Sequence, residues 1–568
     1  MNRILFVYGK KHIFAGMRKK FYCTIILYLL FCTVLHAQSY KGLERPKLVV
    51  GIVIDQMRYD FLYKYWGRYQ ENGGFKRLIT QGYSCENTHY NYVPTYTAPG
   101  HCSIYTGSTP MYSGIIANDW YQRSIKRKMY CTEDTTVQGV GQHSGLAGKQ
   151  SPRNMFCTTI ADQIKLSNEH KSKVIGIALK DRGAILPAGH TANAAYWFDN
   201  VTGNWITSTY YMQELPAWVK QFNEQKFPDK MMKEVWNTLY PIETYTMSAK
   251  DAGEYEIGVK CENKNTFPHD FSKTNDCKDY KAILHAPAGN ELTKLFAISA
   301  LENEKLGKGN FTDVLTVSFS STDYVGHYFG PNSVEAEDTY LRLDKQLAEL
   351  LDALDKNAGK GQYLVFLTAD HGAVYNPEYM KQHKIPAQLF DTKHLSDVVN
   401  KKLSERYGEG KWVLKYINQQ VYLNEELIEQ KKLSLSEVEA FTIQAILPLN
   451  GVLHAISRTD LMTKNFSQPP FDKVQLGFNP GRSGNVAVLY HSNWFDNEYD
   501  LTATHGSHYS YDTHVPLLWY GWKIPQGRNY THVNISDIAS TIAALLRIEQ
   551  PNACIGNPIT DLMNLIKF

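Results

Sequence analysis

The chain has 568 residues, of which 43% are hydrophobic and 20% are charged, and its formal net charge is +4. This composition is that of an ordinary globular protein with a substantial core, and it excludes the disordered and fibrous classes. A charge of +4 over this length, without a concentrated Lys/Arg tract in the body of the chain, gives no electrostatic footprint for nucleic acid. We therefore predict no nucleic-acid partner and seek the function in a site.

The N-terminus has the pattern of a secretory signal peptide. The basic "MRKK" precedes the apolar stretch Cys23–Leu35, and "HAQ" follows with a small residue at Ala37. We predict a signal peptide over 1–37, a short linker over 38–47, and an exported chain that is periplasmic or secreted. A membrane anchor is the alternative interpretation, but the apolar stretch is shorter than the roughly 20 residues that a spanning helix needs. We therefore expect no stable membrane anchor.

Cysteine usage agrees with export. Nine cysteines fall to seven in the mature chain, because Cys23 and Cys32 lie in the predicted signal. Disulfides are permitted outside the cytosol, although an odd count leaves at least one free thiol. Cys261 and Cys277 are plausible loop-closing partners, because they lie in a polar, Asn/Lys-rich segment.

The body of the chain alternates between apolar runs and helical patterns. Short, nearly continuous apolar runs are typical of strands that helices cover on both faces. In chain order these runs are "KLVVGIVIDQM", "KVIGIALKD", "DVLTVSFSSTD", "QYLVFLTADHG", "NVAVLYHS" and "VPLLWYG". Helical patterns lie between them, for example over Ser333–Asn357, and "SDIASTIAALLRI" closes the chain. The sequence predicts an α/β fold with a doubly wound, mostly parallel sheet.

Two stretches interrupt this alternation within a predicted catalytic domain over 48–568. One, at about 205–284, is rich in Trp and Tyr, and the other, at about 381–477, is rich in Lys and Glu. Both are interpreted as insertions that could shape a cleft above the sheet.

Charged residues follow several of the predicted strands. Ligands bind at the carboxyl ends of strands in open α/β sheets, so we expect these side chains to converge. Taken singly, each has a structural explanation as a helix cap, a turn residue or a hydrogen-bonded histidine. Together they place three carboxylates, three imidazoles and two cations at one edge of one sheet. These residues are Asp55, Lys180, Arg182, Asp323, His327, Asp370, His371 and His505.

The chemistry of this set favours zinc. Carboxylates gathered in a cleft repel one another, and a cation relieves the repulsion. Mixed Asp and His ligands favour zinc over calcium or magnesium, which prefer oxygen ligands. Six Asp and His ligands are too many for one tetrahedral zinc with an open position, so we predict two Zn²⁺ ions. A bimetallic pair is suited to phosphoryl transfer, because it clamps the attacking and leaving oxygens.

Thr97 lies in "NYVPTYTAPGHCSIYTGSTP", just before a predicted helix that begins at the Ala-Pro-Gly segment. The structural interpretation is that Thr97 caps this helix, since threonine is a common N-cap residue. The functional interpretation is that a hydroxyl at the positive end of a helix and beside a metal ion becomes a nucleophile.

The motifs of the chain resemble those of a known family, and this resemblance decides between the two interpretations of Thr97. The order of Asp55, "TAPGH", "GIIANDW", "KDRGA", "STDYVGH", "TADHG" and "THGS" resembles the alkaline phosphatase superfamily, and within its type I phosphodiesterase/nucleotide pyrophosphatase branch the PafA-type alkaline phosphatases. The resemblance runs from about Lys47 to the C-terminus and implies a doubly wound α/β core. It implies that Thr97 is the nucleophile of a double displacement, through a phosphothreonine that is then hydrolysed.

The resemblance also implies the ligand sets. One zinc ion would be held by Asp323, His327 and His505, and the other by a second set, consisting of Asp55, Thr97, Asp370 and His371. The assignment of His505 leaves His508 as an alternative, and His505 is favoured because it stands in the His-Gly pair that is typical of the superfamily.

The remaining choice is between monoesters and diesters. A monoester dianion has three non-bridging oxygens and needs extra donors and positive charge. Lys180 and Arg182 alternate in a predicted extended segment, so both could reach one face, and Asn118 offers an amide. In PafA-type enzymes the matching residues contact the phosphoryl oxygens. We therefore expect a phosphomonoesterase that acts on small phosphate esters, as a monomer. The alternatives are a phosphodiesterase or nucleotide pyrophosphatase, and a secreted metal-binding protein that has lost catalysis.

Overall fold

The Leu48–Ile54 strand lies in the middle of the main sheet of the computed structural model. The structure describes residues 44–141, 143, 145–259, 261–262, 264–273, 279–496 and 501–566. All seven residues of this strand are buried, which its unbroken apolar sequence requires, because helices cover both faces of the sheet. Its neighbours on either side, Asp313–Phe319 and Tyr363–Thr368, run parallel to it.

Within the described residues the main sheet has ten strands. Their spatial order is Gly527–Asn529, Tyr83–Cys85, Leu517–Gly521, Tyr363–Thr368, Leu48–Ile54, Asp313–Phe319, Val174–Ala178, Ala194–Asp199, Asn204–Ser208 and Gly139–Val140. The five central strands, from Tyr363–Thr368 to Ala194–Asp199, are parallel. Leu517–Gly521 and Asn204–Ser208 flank them in antiparallel orientation. The predicted α/β fold with a mostly parallel sheet is confirmed.

Helices connect the strands and pack on both faces. The predicted helix over Ser333–Asn357 is observed as Val334–Ala358, and the Ser333 hydroxyl caps it by accepting from the Ala336 N–H at 3.0 Å. The helices of eight or more residues are Gly74–Gln81, Thr97–Thr106, Asp181–Ala188, Ala217–Glu224, Pro287–Asn303, Ser321–Phe329, Val334–Ala358, Thr392–Tyr407, Leu435–Ile446 and Asp537–Leu546. In the described part of the chain, no helix is both long and apolar enough to cross a bilayer.

A second, antiparallel sheet forms outside the main one. Its four strands within the described residues are ordered Val413–Ile417, Gln420–Leu423, Val486–Tyr490 and Val452–Ser457. The helices Thr392–Tyr407 and Leu435–Ile446 contribute to a hydrophobic core of its own. We call this sheet and its helices the insertion sheet.

The insertion sheet corrects one sequence prediction. "NVAVLYHS" was expected to form a strand of the main sheet, but Val486–Tyr490 pairs with antiparallel neighbours in the insertion sheet. A short apolar run indicates a buried strand and does not specify which sheet it joins. The Ala194–Asp199 strand was not among the predicted runs, although it is parallel and buried. The Trp/Tyr-rich stretch begins inside Asn204–Ser208, a strand of the main sheet.

The predictions for the N-terminus remain predictions. The signal peptide and most of the linker fall within 1–43, which lie outside the described residues. Cys261 is disulfide-bonded, and Cys277, its predicted partner, also lies outside the described residues. Among the described cysteines, the free thiols are those of Cys85, Cys102, Cys131, Cys157 and Cys554.

Candidate active site

Three acidic side chains meet at the carboxyl edge of the central strands. Asp55 and Asp370 follow their strands by one and two residues, and Asp323 lies in the first turn of the helix Ser321–Phe329. All three are buried. Because their strands are parallel neighbours, their carboxyl ends lie side by side, as the sequence predicted.

Two other polar residues bridge these carboxylates. Gln56 donates its backbone N–H to Asp370 Oδ1 at 3.0 Å and its side-chain amide to Asp323 Oδ1 at 2.7 Å. Lys180 Nζ lies 2.6 Å from Asp55 Oδ2 and 2.5 Å from Asp323 Oδ2. Gln56 has a left-handed backbone with φ of 66°, which turns its N–H toward Asp370. The sequence analysis missed Gln56, although its position directly after Asp55 was a usable signal.

Three histidines join the carboxylates with their Nε2 atoms turned inward. The Nδ1 atoms donate to backbone carbonyls: His327 to Ala503 at 2.8 Å, His371 to Gly372 at 3.0 Å and His505 to Thr95 at 2.6 Å. A carbonyl only accepts, so each Nδ1 carries the proton and each Nε2 keeps a lone pair. Metal-binding histidines are commonly oriented by such a hydrogen bond.

The carboxylates and imidazoles form two groups that share His371. Asp55, Asp370 and His371 form one group and Asp323, His371 and His505 the other, with ligand atoms within 4.8 Å of one another in each. His327 adjoins the second group, with its Nε2 atom 3.0 Å from Asp323 Oδ1.

The donor set fits a metal ion. Asp55 Oδ1 and Asp370 Oδ2 are buried, and neither has a hydrogen-bond partner within the described part of the chain. Burial raises the pKa of Asp55 well above its usual range, and the carboxylates of Asp323 and Asp370 raise this pKa further. Burial also lowers the pKa of His371, which favours the neutral imidazole that a metal needs. A cation at this position would relieve the repulsion and bind the inward-facing lone pairs.

Thr97 is the first residue of the helix Thr97–Thr106, and Tyr96 occupies the N-cap position. The capping interpretation is therefore wrong, and the helix begins two residues before Pro99 rather than at the Ala-Pro-Gly segment. The Thr97 hydroxyl lies 3.5 Å from His371 Nε2, at the positive end of the helix. Gly100 permits this approach, since a Cβ there would lie 2.4 Å from the carbonyl oxygen of Asp370.

His101 links the helix Thr97–Thr106 to Asp370 and to Ser318 of the Asp313–Phe319 strand. Its Nδ1 atom lies 2.9 Å from the carbonyl oxygen of Thr97 and 3.3 Å from Asp370 Oδ2, and its Nε2 atom lies 2.8 Å from the Ser318 hydroxyl. His101 is completely buried. The sequence analysis quoted this residue in "TAPGH" without giving it a role.

Of the predicted phosphoryl-binding residues, Asn118 contacts the first turn of the helix that begins at Thr97. Asn118 Oδ1 accepts from the backbone N–H of Ala98 at 2.9 Å, which leaves its amide nitrogen for another partner. Arg182 donates to the Tyr130 hydroxyl at 2.9 Å. Asn118, Tyr130 and Arg182 line a cavity of about 270 Å³ together with His327 and His505. We call it the catalytic cavity.

Two details differ from the sequence predictions. Lys180 and Arg182 do not alternate in one extended segment: Lys180 is extended, but Arg182 lies in the helix Asp181–Ala188. The chain turns directly from the Val174–Ala178 strand into this helix, which still leaves Arg182 at the cavity.

His508 lies apart from the acidic cluster, with its ring 4.0 Å from that of Tyr509. The structure brings His505 to the cluster instead.

Comparisons with known proteins identify the class. The family described as "Type I phosphodiesterase / nucleotide pyrophosphatase" matches residues 49–511. The chain is 43% identical to "Alkaline phosphatase PafA" of Elizabethkingia meningoseptica, over 93% of this chain and 97% of that one. It is 44% identical to "Alkaline phosphatase PhoV" of Synechococcus elongatus, over 96% and 100%. It is 48% identical to a Myroides odoratus protein named "Calcium-transporting ATPase", over 92% and 95%.

A solved structure agrees with these relationships. The crystal structure of wild-type PafA superimposes with a TM-score of 0.88 and 43% sequence identity, covering 92% of this chain and all of that one. The chain belongs to the type I phosphodiesterase/nucleotide pyrophosphatase family. Within that family its relationships to PafA and PhoV place it among the alkaline phosphatases, which are phosphoric monoester hydrolases.

Proposed function

We propose that the chain is an exported alkaline phosphatase that binds two zinc ions and hydrolyses phosphate monoesters through a phosphothreonine at Thr97. The observation that carries this proposal is the position of the Thr97 hydroxyl, 3.5 Å from His371 Nε2 at the N-terminus of a helix. A purely structural threonine would not need to face a cluster of buried carboxylates and imidazoles.

The ligands divide into two sets. Asp323, His327 and His505 would hold one zinc ion, and the other would be held by Asp55, Asp370, His371 and the Thr97 oxygen. The mixed oxygen and nitrogen donors suit zinc, and the three tethered Nδ1 atoms support neutral imidazole ligands. When bound, the two ions supply Lewis-acid stabilisation of the attacking and leaving oxygens and lower the pKa of a water molecule.

The chain's own groups account for the covalent steps. Thr97 Oγ1 attacks phosphorus, a new P–O bond forms, and the bond to the leaving alcohol breaks as the alcohol takes up a proton. Water then attacks the phosphothreonine, the bond to Thr97 breaks, and inorganic phosphate leaves. The dipole of the helix Thr97–Thr106 stabilises negative charge on Oγ1 in both steps.

Asn118, Lys180 and Arg182 would bind the non-bridging phosphoryl oxygens. A solved PafA variant supports this role: it carries substitutions of one threonine, one asparagine, one lysine and one arginine, spaced along the chain as Thr97, Asn118, Lys180 and Arg182 are here. Arg182 lines the catalytic cavity, and Lys180 is buried between Asp55 and Asp323; their positive charges would suit a monoester dianion better than a diester.

The same site chemistry covers the neighbouring activities. The family includes phosphodiesterases. The Myroides relative is named an ATPase, and an ATPase also transfers a phosphoryl group to water. The charge of Lys180 and Arg182 favours monoesters over diesters. The retained Thr97 disfavours a secreted protein that only binds metal, since binding alone needs no hydroxyl. Export rests on the N-terminal sequence pattern, and we expect the enzyme to act as a monomer.

The test is the metal content of the purified chain and its dependence on zinc. Elemental analysis should find about two zinc ions per chain, and chelation should abolish hydrolysis of an aryl phosphate until zinc is returned. Magnesium or calcium added to the chelated protein is the matched control and should restore little. Full activity of the metal-free protein, or faster turnover of the bis-aryl phosphate than of the monoester, would contradict the proposal.

A further inference from the structure

A tight turn of the insertion sheet reaches the catalytic cavity. The strands Val413–Ile417 and Gln420–Leu423 pair with Ile417 opposite Gln420, so Asn418 and Gln419 form a two-residue turn. Both have left-handed backbones, with φ of 55° and 59°, as a type I′ hairpin turn requires. Glycine is favoured at the second position, so glutamine there stores strain. Such outliers point to a function for the side chain.

Each side chain of this turn contacts a different segment of the active site. Asn418 Nδ2 donates to the carbonyl oxygen of Asp119 at 2.6 Å, directly after Asn118. Gln419 Nε2 donates to the carbonyl oxygen of Gly506 at 3.2 Å, directly after His505. The turn therefore joins the phosphoryl-binding segment to the metal-binding loop.

Gly506 is shaped to admit this contact. Its φ of 123° is unfavourable for other residues, and a Cβ there would lie 3.0 Å from Gln419 Nε2 and 3.1 Å from the Tyr96 ring. The glycine thus lies tightly between the turn and an aromatic wall of the cavity.

The turn is held in place by the rest of the insertion sheet. Tyr422, on the strand that follows the turn, donates to the carbonyl oxygen of Arg482 at 2.9 Å. Arg482 in turn donates to the carbonyl oxygen of Gly114, shortly before Asn118, and to the carbonyl oxygen of Asn154. The insertion sheet also has its own hydrophobic core. The turn is therefore a fixed wall.

The catalytic cavity is small for a complete substrate. Its volume is about 270 Å³, below the usual range of roughly 300–1,000 Å³ for small-molecule sites. Asn418 and Gln419 line it together with Asn118, Arg182, His327 and His505, which are proposed to bind the phosphoryl group and the metals. A substrate with phosphorus at Thr97 must direct its alcohol portion toward this limited space.

We propose that the Asn418–Gln419 turn is the specificity-determining wall of the leaving-group side and restricts the enzyme to monoesters of compact alcohols. This inference rests on the proposed function and adds the class of substrate. A phosphoryl group on a large carrier, such as a peptide, meets the turn before it reaches Thr97.

The test compares two substrates with the same leaving-group chemistry, phenyl phosphate and a phosphotyrosyl peptide. Wild type should prefer phenyl phosphate. In Asn418→Gly and Gln419→Gly, which suit the left-handed turn, the peptide to phenyl phosphate ratio of kcat/KM should rise by about tenfold or more, as for other contacts in a specificity pocket. Gln419→Asn, which also tolerates the left-handed backbone and is shorter by one methylene, should give an intermediate ratio.

Lys432→Gly is the matched control. Lys432 is an exposed, left-handed turn residue of the insertion sheet, with φ of 56°, and it is not among the lining residues of the catalytic cavity. In Lys432→Gly the peptide to phenyl phosphate ratio of kcat/KM should equal that of the wild type. An unchanged ratio in the Asn418 and Gln419 variants, or a wild type that hydrolyses the peptide as well as phenyl phosphate, would overturn the inference and leave the proposed function standing. If the zinc-loaded wild type hydrolysed neither phenyl phosphate nor the peptide, both the inference and the proposed function would be overturned.

Discussion

The carboxyl edge of the main sheet and the turn of the insertion sheet contribute to the catalytic cavity in different ways. At the edge of the main sheet, reactive side chains follow parallel strands, and backbone carbonyls orient the imidazoles. The insertion sheet is antiparallel and brings two uncharged amides at the tip of one hairpin. The first region holds the charged side chains and Thr97, the proposed nucleophile. The second region sets the shape of the catalytic cavity.

This difference follows from how each region is built. Strands that run parallel end at one edge, so residues far apart in sequence meet there whenever the sheet forms. The hairpin turn belongs to a separately packed sheet, and Asn418 in the turn contacts Asp119, the residue after Asn118. Changes at the edge should therefore remove chemistry, whereas changes at the turn should alter which substrate is accepted.

The largest effect is expected for Thr97, the reacting group of the edge. Thr97→Ala removes the oxygen that forms the covalent intermediate, so turnover should fall by about four orders of magnitude while most of the zinc is retained. Thr97→Ser keeps the hydroxyl and should retain substantial activity. Steady-state kinetics with zinc analysis of each variant provides the measurement.

Acid-quenched protein adds an independent check on Thr97. Mass spectrometry of the wild type should detect phosphate on the peptide that contains Thr97, and the alanine variant should lack it. If Thr97→Ala kept most of the wild-type rate, the nucleophile would have to be another group. The proposed assignment of chemistry to the sheet edge and of shape to the turn would then be wrong.

A smaller effect is expected for Lys180 and Arg182, the proposed phosphoryl-binding cations. Removing either should lower monoester kcat/KM by roughly two orders of magnitude, about 3 kcal/mol, as is typical for a lost charged donor. Diesters carry one less negative charge and should lose less. Parallel kinetics on an aryl monoester and its diester, for Lys180→Ala and Arg182→Ala, measure the difference.

Equal fractional losses on the two substrates would show that these cations do not discriminate between them. The turn variants provide the contrast, because Asn418→Gly is expected to change the size preference and to leave the monoester's charge requirement in place. The two sets of variants thus separate charge recognition from shape recognition.

Much of the edge could be predicted from the sequence. Asp55 directly follows an unbroken apolar strand, and Asp370 and His371 come shortly after another; a buried parallel strand is the one element whose sequence and end point are both easy to locate. The long helix Val334–Ala358 was placed within one residue, because its apolar spacing and its Ser333 cap are local signals.

The remainder depends on tertiary contacts that local patterns do not encode. The left-handed backbone of Gln56, the helical position of Arg182 and the membership of Val486–Tyr490 in the insertion sheet all depend on neighbours far along the chain. The same holds for the turn at Asn418, whose partner Asp119 lies about 300 residues earlier. Sequence patterns therefore indicated the reactive residues of the sheet edge but did not predict the Asn418–Gln419 turn.

The smallest effect is expected at Asp512, which contacts the segment after His505, a proposed zinc ligand, as Gln419 does from the insertion sheet. The buried Asp512 carboxylate accepts from the Ser507 N–H at 2.7 Å, two residues after His505. Its carbonyl oxygen accepts from the Gly372 N–H at 2.8 Å, directly after His371. Asp512 thus links the segments that carry His505 and His371, two of the proposed zinc ligands.

Asp512→Ala removes the side-chain acceptor and leaves the Ser507 N–H without it, at a cost of about 1–3 kcal/mol, so zinc affinity should fall about tenfold. Asp512→Asn keeps an acceptor oxygen and should retain most of the affinity. Competition with a chelator measures zinc affinity, and the peptide to phenyl phosphate ratio is measured in parallel. That ratio should stay at the wild-type value in Asp512→Ala and change in Gln419→Gly, because only Gln419 lies at the wall. A changed ratio in Asp512→Ala would mean that the loop itself, rather than the turn, sets the size of the alcohol accepted.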